Sequence, residues 1–403
     1  MAFPMQRPWQ HLADAYFSGS QTVLRSANYY DAAQEKYDRL SDLTDTISDD
    51  LGRAIIEKRV QRTDFDKALE LGLEAVPNAP PELVAFMASA TYIPPSIDMA
   101  AVERGGAVFR SIPAITSVVH SVVSAFIFAS IYPNSAISLS LNKNLITATQ
   151  RRYIESYKYM ADTVAPHGLS RFSKGFKSAC RVRLVHGFVR SEIARHFDWN
   201  YEAYRKPINQ AGVLQTAMVS GSYMIPYAAS MGSRLTAQEQ SDLCMHAAYL
   251  ALLQGVPPEF IPTSVEEGSD FTYNYLLNAD LPLAEDRDKA MSVLQPLTEK
   301  GFPVSPSKMI TTIFNGYILE EVWRLFGDEL CRSVNMPRYA LAKFYAPLMR
   351  TATRLFAMTK SIAPLRARYL DINARFWSEK VPAMLTYITG HADVAFTETA
   401  KVK

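Results

Sequence analysis

A long stretch without charge constrains the fold of this chain more than any other feature of its sequence. Residues 111–142 contain no Asp, Glu, Lys or Arg, and IPAITSVVHSVVSAFIFASIY (112–132) is nearly long enough to cross a bilayer. The same stretch contains Pro113, His120 and five Ser or Thr residues, and Pro133 ends it. A helix buried on all sides in a large α-helical protein has this composition. We therefore predict a buried core helix in preference to a membrane span, and membrane association stays open.

The rest of the chain has the periodicity of α-helices. Apolar residues recur three and four positions apart, as in residues 236–254. Thr236 with Glu239, and Ser264 with Glu267, fit the capping box, in which a hydroxyl and a carboxylate satisfy the free amides of a helix start. Four proline-rich segments interrupt the pattern: residues 75–82, 255–262, 280–285 and 301–307.

No internal repeat, low-complexity tract or Gly/Ser linker divides the chain. The composition, 48% hydrophobic and 20% charged, is typical of a globular protein with a substantial core. We predict an all-α protein in which residues 1–403 form one large helical domain.

The composition also excludes several classes of protein. A net charge of +2 argues against a polybasic nucleic-acid-binding protein. Cys180, Cys244 and Cys331 are far apart and form no CxxC pair, so neither a disulfide framework nor a thiolate zinc site is indicated. The start, MAFPMQRPWQ, lacks the basic and apolar regions of a secretory signal. We expect a cytoplasmic protein, and a secreted form whose signal has been removed stays open.

Positive charge is concentrated in one segment. Residues 143–195 contain eleven Lys or Arg and three acidic residues, an excess of +8 in a chain whose total is +2. Such a segment is usually a solvated face, and otherwise it binds an anionic ligand or partner.

Within this segment, RVRLVHGFVR (181–190) places one histidine among arginines. On a helix over about 176–197, His186 lies in an apolar stripe, with Arg183 and Arg190 about one turn away on either side. A neutral imidazole in a dry pocket suits an axial haem ligand, because the porphyrin supplies the other four ligands, and nearby cations suit haem propionates. A core histidine with a hydrogen-bond partner, beside solvent-facing arginines, gives the same pattern. From the residues alone we favour that structural interpretation.

The segment RRYIES (151–156) is a second candidate. Arg152 and Ser156 are four residues apart and share one helix face, with Glu155 adjacent. A cation, a hydroxyl and a carboxylate that meet in a pocket can polarise bound dioxygen and move a proton. An exposed amphipathic helix with an Arg–Glu pair has the same pattern, and the residues alone favour it.

The remaining histidines give weaker signals. No two of the seven lie three or four positions apart, which argues against a zinc or di-iron site on one helix. His120 and His246 lie in apolar helical runs and are predicted to be packed core residues, although either one is the alternative ligand if His186 is not. Asn209 is predicted to be a helix N-cap.

Four segments, read in order, resemble one known family. They are RR-x-x-x-S (151–156), RVRLVHGFVR (181–190), W-x(4)-Y-x-x-PINQ (199–210) and LLQGVPPEFIPTSVEE (252–267). This set resembles the latex-clearing protein (rubber oxygenase) and MpaB-type oxygenase family of haem b proteins, over about residues 100–270. Residues 1–99 and 271–403 would then be flanking helices.

The resemblance implies a helical fold with a globin-like core that holds one haem b. Its iron ligand would be the histidine of R-x-x-H, which is His186 here, with Arg183 as its motif partner and Arg190 nearby. With the family in view, His186 as the iron ligand becomes the favoured interpretation. The basic excess of residues 143–195 would surround the dianionic cofactor.

The distal residues match the family in part. Rubber oxygenases carry Arg-x-x-Lys-Thr, where this chain has Arg152, Glu155 and Ser156 at the Arg, Lys and Thr positions. The lysine is a haem ligand in one state of those enzymes, and Glu155 replaces it here. The family's base glutamate lies upstream, whereas residues 132–141 of this chain contain no carboxylate. We therefore hypothesise that Glu155 serves as the base.

The function implied is a haem b-dependent oxygenase, an oxidoreductase that uses dioxygen on an apolar, isoprenoid or prenylated substrate. Its reaction would be a dioxygenase cleavage of a carbon–carbon double bond. The alternatives are a haem carrier or sensor without turnover, and a helical scaffold without a cofactor. No nucleic-acid partner is expected, since the chain has no recognisable motif for one.

Overall fold

The described part of the chain is entirely helical. The computed structural model describes residues 27–140, 149–278, 307–333 and 335–383, together with the isolated positions 283–285, 288 and 386. No strand occurs among these residues, so the prediction of an all-α protein is confirmed. The globin-like arrangement of the core and the limits of the oxygenase region stay predictions.

Seventeen α-helices are assigned in the described residues. They are α1 (Ala27–Ser41), α2 (Thr46–Ile56), α3 (Arg62–Leu71), α4 (Pro81–Thr91), α5 (Met99–Ser111), α6 (Ala114–Ile131), α7 (Pro133–Ser140), α8 (Thr149–Val164), α9 (Lys174–His196), α10 (Tyr201–Tyr204), α11 (Gln210–Met218), α12 (Met224–Ser230), α13 (Ala237–Leu253), α14 (Val265–Leu277), α15 (Lys308–Ser333), α16 (Ala342–Met358) and α17 (Ala363–Arg375). Helix α15 is interrupted at Gly327, whose φ of 74° is not helical.

Side-chain caps fix the predicted helix starts. Thr236 and Glu239 form the predicted reciprocal capping box at the start of α13. Ser264 caps α14 by accepting from the Glu267 amide at 3.1 Å, while the Glu267 carboxylate turns back to the amide of Thr263 at 2.7 Å. Each cap satisfies amides that the helix itself leaves without a partner.

Two of the proline-rich segments separate helices as predicted. Pro81 is the first residue of α4, and a 3₁₀ turn at Pro258–Phe260 divides α13 from α14. Proline suits a helix start because its missing N–H would have no partner there. The proline-rich segments 280–285 and 301–307 fall largely outside the described residues.

The uncharged stretch forms α6, and its described side chains are buried. Every residue from Val118 to Val123 except Ser121 is less than 9% exposed. Helix α5 and the first part of α6, Ala114–Ser124, meet at 101°. Among the described residues no single helix is long and apolar enough to cross a bilayer, although this bent pair passes by length and composition. The buried core helix predicted from the sequence is confirmed as far as Ser124.

Close helix crossings at glycines organise the core. A Cβ on Gly105 of α5 would lie 2.1 Å from the carbonyl oxygen of Asp242 on α13. A Cβ on Gly187 of α9 would lie 2.3 Å from the carbonyl oxygen of Ser48 on α2. Only glycine lets the backbones approach this closely. The second crossing packs α2 closely against α9, the helix that carries His186.

Candidate active site

His186 lies midway along α9, a 23-residue helix that begins at a Ser173 cap. The Ser173 hydroxyl accepts from the Phe176 amide at 3.2 Å. The His186 side chain is half-buried, and so is its face neighbour Val189. Val189 packs on a cluster of buried apolar residues: Ile137, Ile193, Trp199 and Tyr204. One flank of the His186 face is therefore apolar.

Helix α8 packs on α9 near the loop that joins them. The Ser178 hydroxyl donates to the Asp162 carboxylate at 3.3 Å, close to the end of α8 and the start of α9. Since both helices rise by about 1.5 Å per residue, an antiparallel pair in this register would bring residues 151–156 near the level of His186. This proximity of the two sequence motifs stays a prediction.

The catalytic candidates on α8 can be placed only in part. Arg152 and Glu155 belong to the helix, but their side chains lie outside the described residues. The Ser156 side chain is exposed. Their roles therefore stay predictions.

Arg183 is buried where α9 packs against the start of α2 and against α4. Its guanidinium donates to both carboxylate oxygens of Asp45, at 2.6 and 3.0 Å, and to the Ser89 hydroxyl at 3.1 Å. The guanidinium also stacks on the Phe86 ring, 4.8 Å from its centroid. Arg183 is 1% exposed. These contacts balance the charge of Arg183 inside the protein, while its buried Nη1 donates to no atom of the described residues. A contact of Arg183 with a haem propionate stays a prediction.

Arg190, two turns further along α9, also pairs with a carboxylate, one turn further along α2. Its Nε donates to the Asp49 carboxylate at 2.6 Å, and its Nη2 donates to the Ser48 hydroxyl at 2.8 Å. Its Nη1 donates to the carbonyl oxygen of Ile208 at 3.2 Å. Arg190 thus ties α9 to α2 and to the segment before α11, and its contact with a haem propionate stays a prediction.

The two carboxylates that accept hydrogen bonds from these arginines have pKa values shifted in opposite directions. Burial alone would raise the pKa of Asp45, but the charge and hydrogen bonds of Arg183 outweigh burial and lower it. Burial raises the pKa of Asp49, and Arg190 offsets that effect only in part. Asp45 is therefore the tighter anchor of α9.

Other basic residues of the segment 143–195 also pair with carboxylates of the protein. Arg181 donates to Glu70 of α3 at 2.8 Å, and Lys177 pairs with the same carboxylate. Lys158 pairs with Asp162 on its own helix. The expectation that the basic excess surrounds an anionic cofactor is corrected for these residues, since their partners are carboxylates of the protein.

The alternative ligands His120 and His246 are enclosed in the core. One ring nitrogen of His120 bonds to the Val219 carbonyl oxygen at 3.0 Å, and the ring lies against Tyr223 and Tyr227, with centroids 5.2 and 5.0 Å apart. Burial lowers the pKa of His120 to about 3, so its ring is neutral.

His246 is enclosed at the crossing of α5 and α13. Its Nδ1 bonds to the Val102 carbonyl oxygen at 3.1 Å, and burial lowers its pKa to about 4. A Cβ on Gly105 would lie 2.7 Å from the His246 Cβ, so this crossing leaves no space for a porphyrin. The packing prediction for both histidines agrees with these positions.

Metal sites made by protein side chains alone are absent from the described residues, where no three His, Cys, Asp or Glu side chains cluster. All three cysteines are free and buried, and burial raises the pKa of Cys180 to about 12. A buried neutral thiol is neither a good nucleophile nor a good metal ligand.

The residue that sequence reasoning missed is Asp45. It carries a recognisable signal as the N-cap of α2, where its carboxylate accepts from the Ser48 amide at 3.3 Å. Nothing local indicates that its main partner, Arg183, lies 138 positions away.

Comparison with known proteins confirms the family. Residues 116–358 match the family described as "ER-bound oxygenase mpaB/B'/Rubber oxygenase, catalytic domain", and the chain belongs to that family. The matched residues contain α8 and α9, with both candidate segments. The resemblance inferred from four sequence segments is thereby confirmed. Because the family is one of oxygenases, the match also supports the prediction of an enzyme.

A solved structure shares the fold. The chain is similar to the structure titled "Structure of Latex Clearing Protein LCP in the closed state", with a TM-score of 0.60 and 17% sequence identity. The similarity covers 83% of this chain and 90% of that chain. No curated protein sequence matches the chain.

The residues around His186 fit a porphyrin-bound iron better than any other metal group. His186 is half-buried and has an apolar flank. One imidazole is a sufficient protein ligand for a metal ion only where a cofactor supplies the remaining ligands. No three His, Cys, Asp or Glu side chains cluster among the described residues, as a zinc site made by the protein alone would need.

Proposed function

We propose that this protein is a haem b-dependent oxygenase that uses dioxygen to oxidise an apolar, isoprenoid-type substrate. The observation that supports the proposal is the match of residues 116–358, which contain His186 and residues 151–156, to an oxygenase family, together with the packing of α8 on α9. The substrate class follows from the rubber and latex named for the relatives, because rubber is a polyisoprenoid.

His186 would hold the haem iron through one ring nitrogen. When bound, haem b supplies the site at which dioxygen is taken up and reduced. The apolar cluster beside Val189 would form one wall of the cofactor pocket.

Arg183 and Arg190 would position His186 through contacts within the protein. Their ion pairs with Asp45 and Asp49 fix the rotation of α9 about its own axis. Because His186 lies between these two residues on the helix, the same contacts fix the direction of its imidazole. This assigns them a positioning role beside the propionate contacts predicted from the sequence.

The residues of α8 would act on the other partners of the reaction. Arg152 is assigned to a polar contact with bound dioxygen, and Ser156 to a hydrogen bond in the same pocket. Glu155 is assigned to proton transfer, as the carboxylate that replaces the family's lysine. An isoprenoid double bond would be cleaved with both oxygen atoms incorporated.

The first test is the visible absorption spectrum of protein expressed with added haem. The wild type is expected to show a strong Soret band, and H186A to lose most of it. H196A is the matched control, since His196 lies at the end of the same helix with its side chain 62% exposed. A Soret band of equal strength in H186A would move the ligand elsewhere, and a colourless wild type would contradict haem binding.

Oxygen consumption separates the oxygenase from a haem carrier or sensor. With a short polyisoprene oligomer as substrate, the haem-loaded wild type is expected to consume dioxygen and to form carbonyl products. A haem-loaded protein that consumes no dioxygen with any isoprenoid oligomer would favour the carrier or sensor alternative.

A further inference from the structure

Helix α16 has two apolar faces, and the larger side chains point outward. Its fully buried side chains are small: Ala342, Ala346, Thr353 and Ala357. Tyr345 and Met349 are half-buried and pack against the core. The residues on its outer side are large and exposed: Leu341 (75%), Phe344 (77%), Leu348 (70%), Leu355 (61%) and Met358 (57%). They recur three, four and seven positions apart and so form one stripe. A helix that serves only the core would place its large apolar residues inward.

The apolar surface continues onto the start of α15. The Tyr345 hydroxyl donates to the carbonyl oxygen of Ile313 at 3.0 Å, which brings the first turns of α15 beside the start of α16. Met309 and Ile310 in these turns are 69% and 50% exposed. The exposed stripe is therefore not confined to one helix.

Helix α17 lies on the surface and extends the apolar area further. Only Tyr369 and Asn373 are buried along its length, and they anchor it to the corner between α5 and α6. The Tyr369 hydroxyl donates to the carbonyl oxygen of Ser111 at 2.6 Å. Leu365 and Ile372, seven positions apart, are 41% and 45% exposed. We name the exposed apolar residues of α16 and α17 the outer face.

Basic residues outnumber acidic residues around the outer face. Residues 341–375 contain seven Lys or Arg and one acidic residue, Asp371. Lys343, Arg366 and Arg368 are exposed. Three other basic residues of this segment meet carboxylates: Arg350 pairs with Glu321, Lys360 with Glu239 and Arg375 with Asp371. The positive charge directed to solvent therefore comes from Lys343, Arg354, Arg366 and Arg368.

We propose that the outer face docks on an anionic lipid surface. An exposed apolar stripe flanked by basic residues is the composition of helices that lie in the plane of a membrane interface. The apolar side chains would enter the boundary of headgroups and acyl chains, while the basic residues would meet anionic headgroups. Exposed apolar patches of this extent mark interaction sites on proteins in general.

The charge favours lipid over a second copy of this chain. A two-fold dimer through the outer face would bring together two surfaces that each expose the basic side chains of Lys343, Arg354, Arg366 and Arg368. An anionic bilayer instead attracts that charge. The helices would lie on the bilayer and not span it, because α16 has only 17 residues and its inner face packs on the protein.

Vesicle sedimentation tests the proposal with the full chain. Vesicles of phosphatidylcholine with about 30% phosphatidylserine are expected to carry down most of the protein, and pure phosphatidylcholine vesicles several-fold less. F344S/L348S is expected to reduce sedimentation at least fivefold, and R366E/R368E to reduce it on the anionic vesicles. The matched control is Y92S/I93S, an adjacent pair that follows the end of α4 and is 56% and 44% exposed.

The possible results distinguish docking on lipid from contact with a second copy of the chain. Sedimentation that needs both the apolar stripe and the arginines supports lipid docking, with each variant checked for unchanged helix content by circular dichroism. Equal sedimentation of the wild type and F344S/L348S would overturn the proposal. A dimer in solution that F344S/L348S converts to a monomer, without vesicle binding, would assign the face to a second copy. R366E/R368E, at exposed positions, keeps the test decisive if F344S/L348S misfolds. None of these results depends on haem or turnover, so the oxygenase proposal is tested separately.

Discussion

The guanidinium of Arg183 donates to both carboxylate oxygens of Asp45, and both side chains are less than 6% exposed. This pair joins α2 to the helix that carries His186, and Arg190 with Asp49 repeats the connection one turn further along α2. A basic motif that resembles cofactor-binding machinery therefore serves first to hold a helix in place. The orientation of His186 depends on acidic residues near the start of the chain.

Removing the Asp45 charge is expected to destabilise the protein strongly. D45N would leave the Arg183 charge buried without its counterion, at a cost of about 3 kcal/mol in the free energy of unfolding. D49N is the matched change on the same helix, and we expect it to cost about 1 kcal/mol, because Asp49 is partly exposed and Arg190 keeps its bonds to Ser48 and Ile208. Urea denaturation of both variants measures the difference. Equal losses would show that the two ion pairs are equivalent.

The Asp45 contribution is expected to vanish in acid. Because the folded pKa of Asp45 lies below its unfolded value of about 3.9, its stabilisation is complete above about pH 5 and is lost as the pH falls through the folded pKa. The difference in melting temperature between the wild type and D45N should therefore narrow below about pH 4. A difference that stays constant from pH 7 to pH 3 would contradict this assignment.

A methyl group at the α2–α9 crossing is expected to be costly. The new Cβ of G187A would lie 2.3 Å from the Ser48 carbonyl oxygen, so the helices must separate, at a cost of about 2–3 kcal/mol. G212A is the control, because its nearest neighbour, the Tyr275 hydroxyl, would be 3.5 Å away. We expect G212A to be neutral or to stabilise by up to about 1 kcal/mol. Thermal melts of both variants test the pair.

Glu321 should be the most sensitive carboxylate of the C-terminal helices. It is fully buried on α15 and accepts from Arg324 at 2.7 Å and from Arg350 of α16 at 2.8 Å. E321Q would leave two cations with one neutral partner, and we expect it to cost about 3 kcal/mol. D328N breaks the Asp328–Arg332 pair, whose side chains are 60% and 74% exposed, and should cost less than about 0.5 kcal/mol. Guanidinium titrations compare the two.

The proposed base on α8 makes a kinetic prediction. E155Q keeps the shape of the side chain but removes its basicity, so turnover of an isoprenoid oligomer should fall about 100-fold while the Soret band is unchanged. S156A, one position along the helix, is expected to lower turnover less, because a hydroxyl contributes one hydrogen bond. Undiminished turnover by E155Q would remove Glu155 from the mechanism.

The sequence by itself determined the helical class, several helix starts, the buried course of α6 as far as Ser124 and the family. These features depend on local order: capping residues, apolar spacing and a run without charge, and four short motifs in a fixed sequence. The Thr236–Glu239 box and the Asn209 cap follow from residues only three positions apart.

Only the tertiary structure decided what Arg183 and Arg190 do. Their partners lie about 140 positions away on α2, and a local pattern of arginines around a histidine cannot distinguish an internal carboxylate from a bound one. The sequence also does not indicate that the large apolar residues of α16 are exposed. That helix is apolar on two sides, and only the packing shows which side faces the core. In both cases the decisive partner is remote in sequence, and the approach of one helix to another is set by the packing of the whole core.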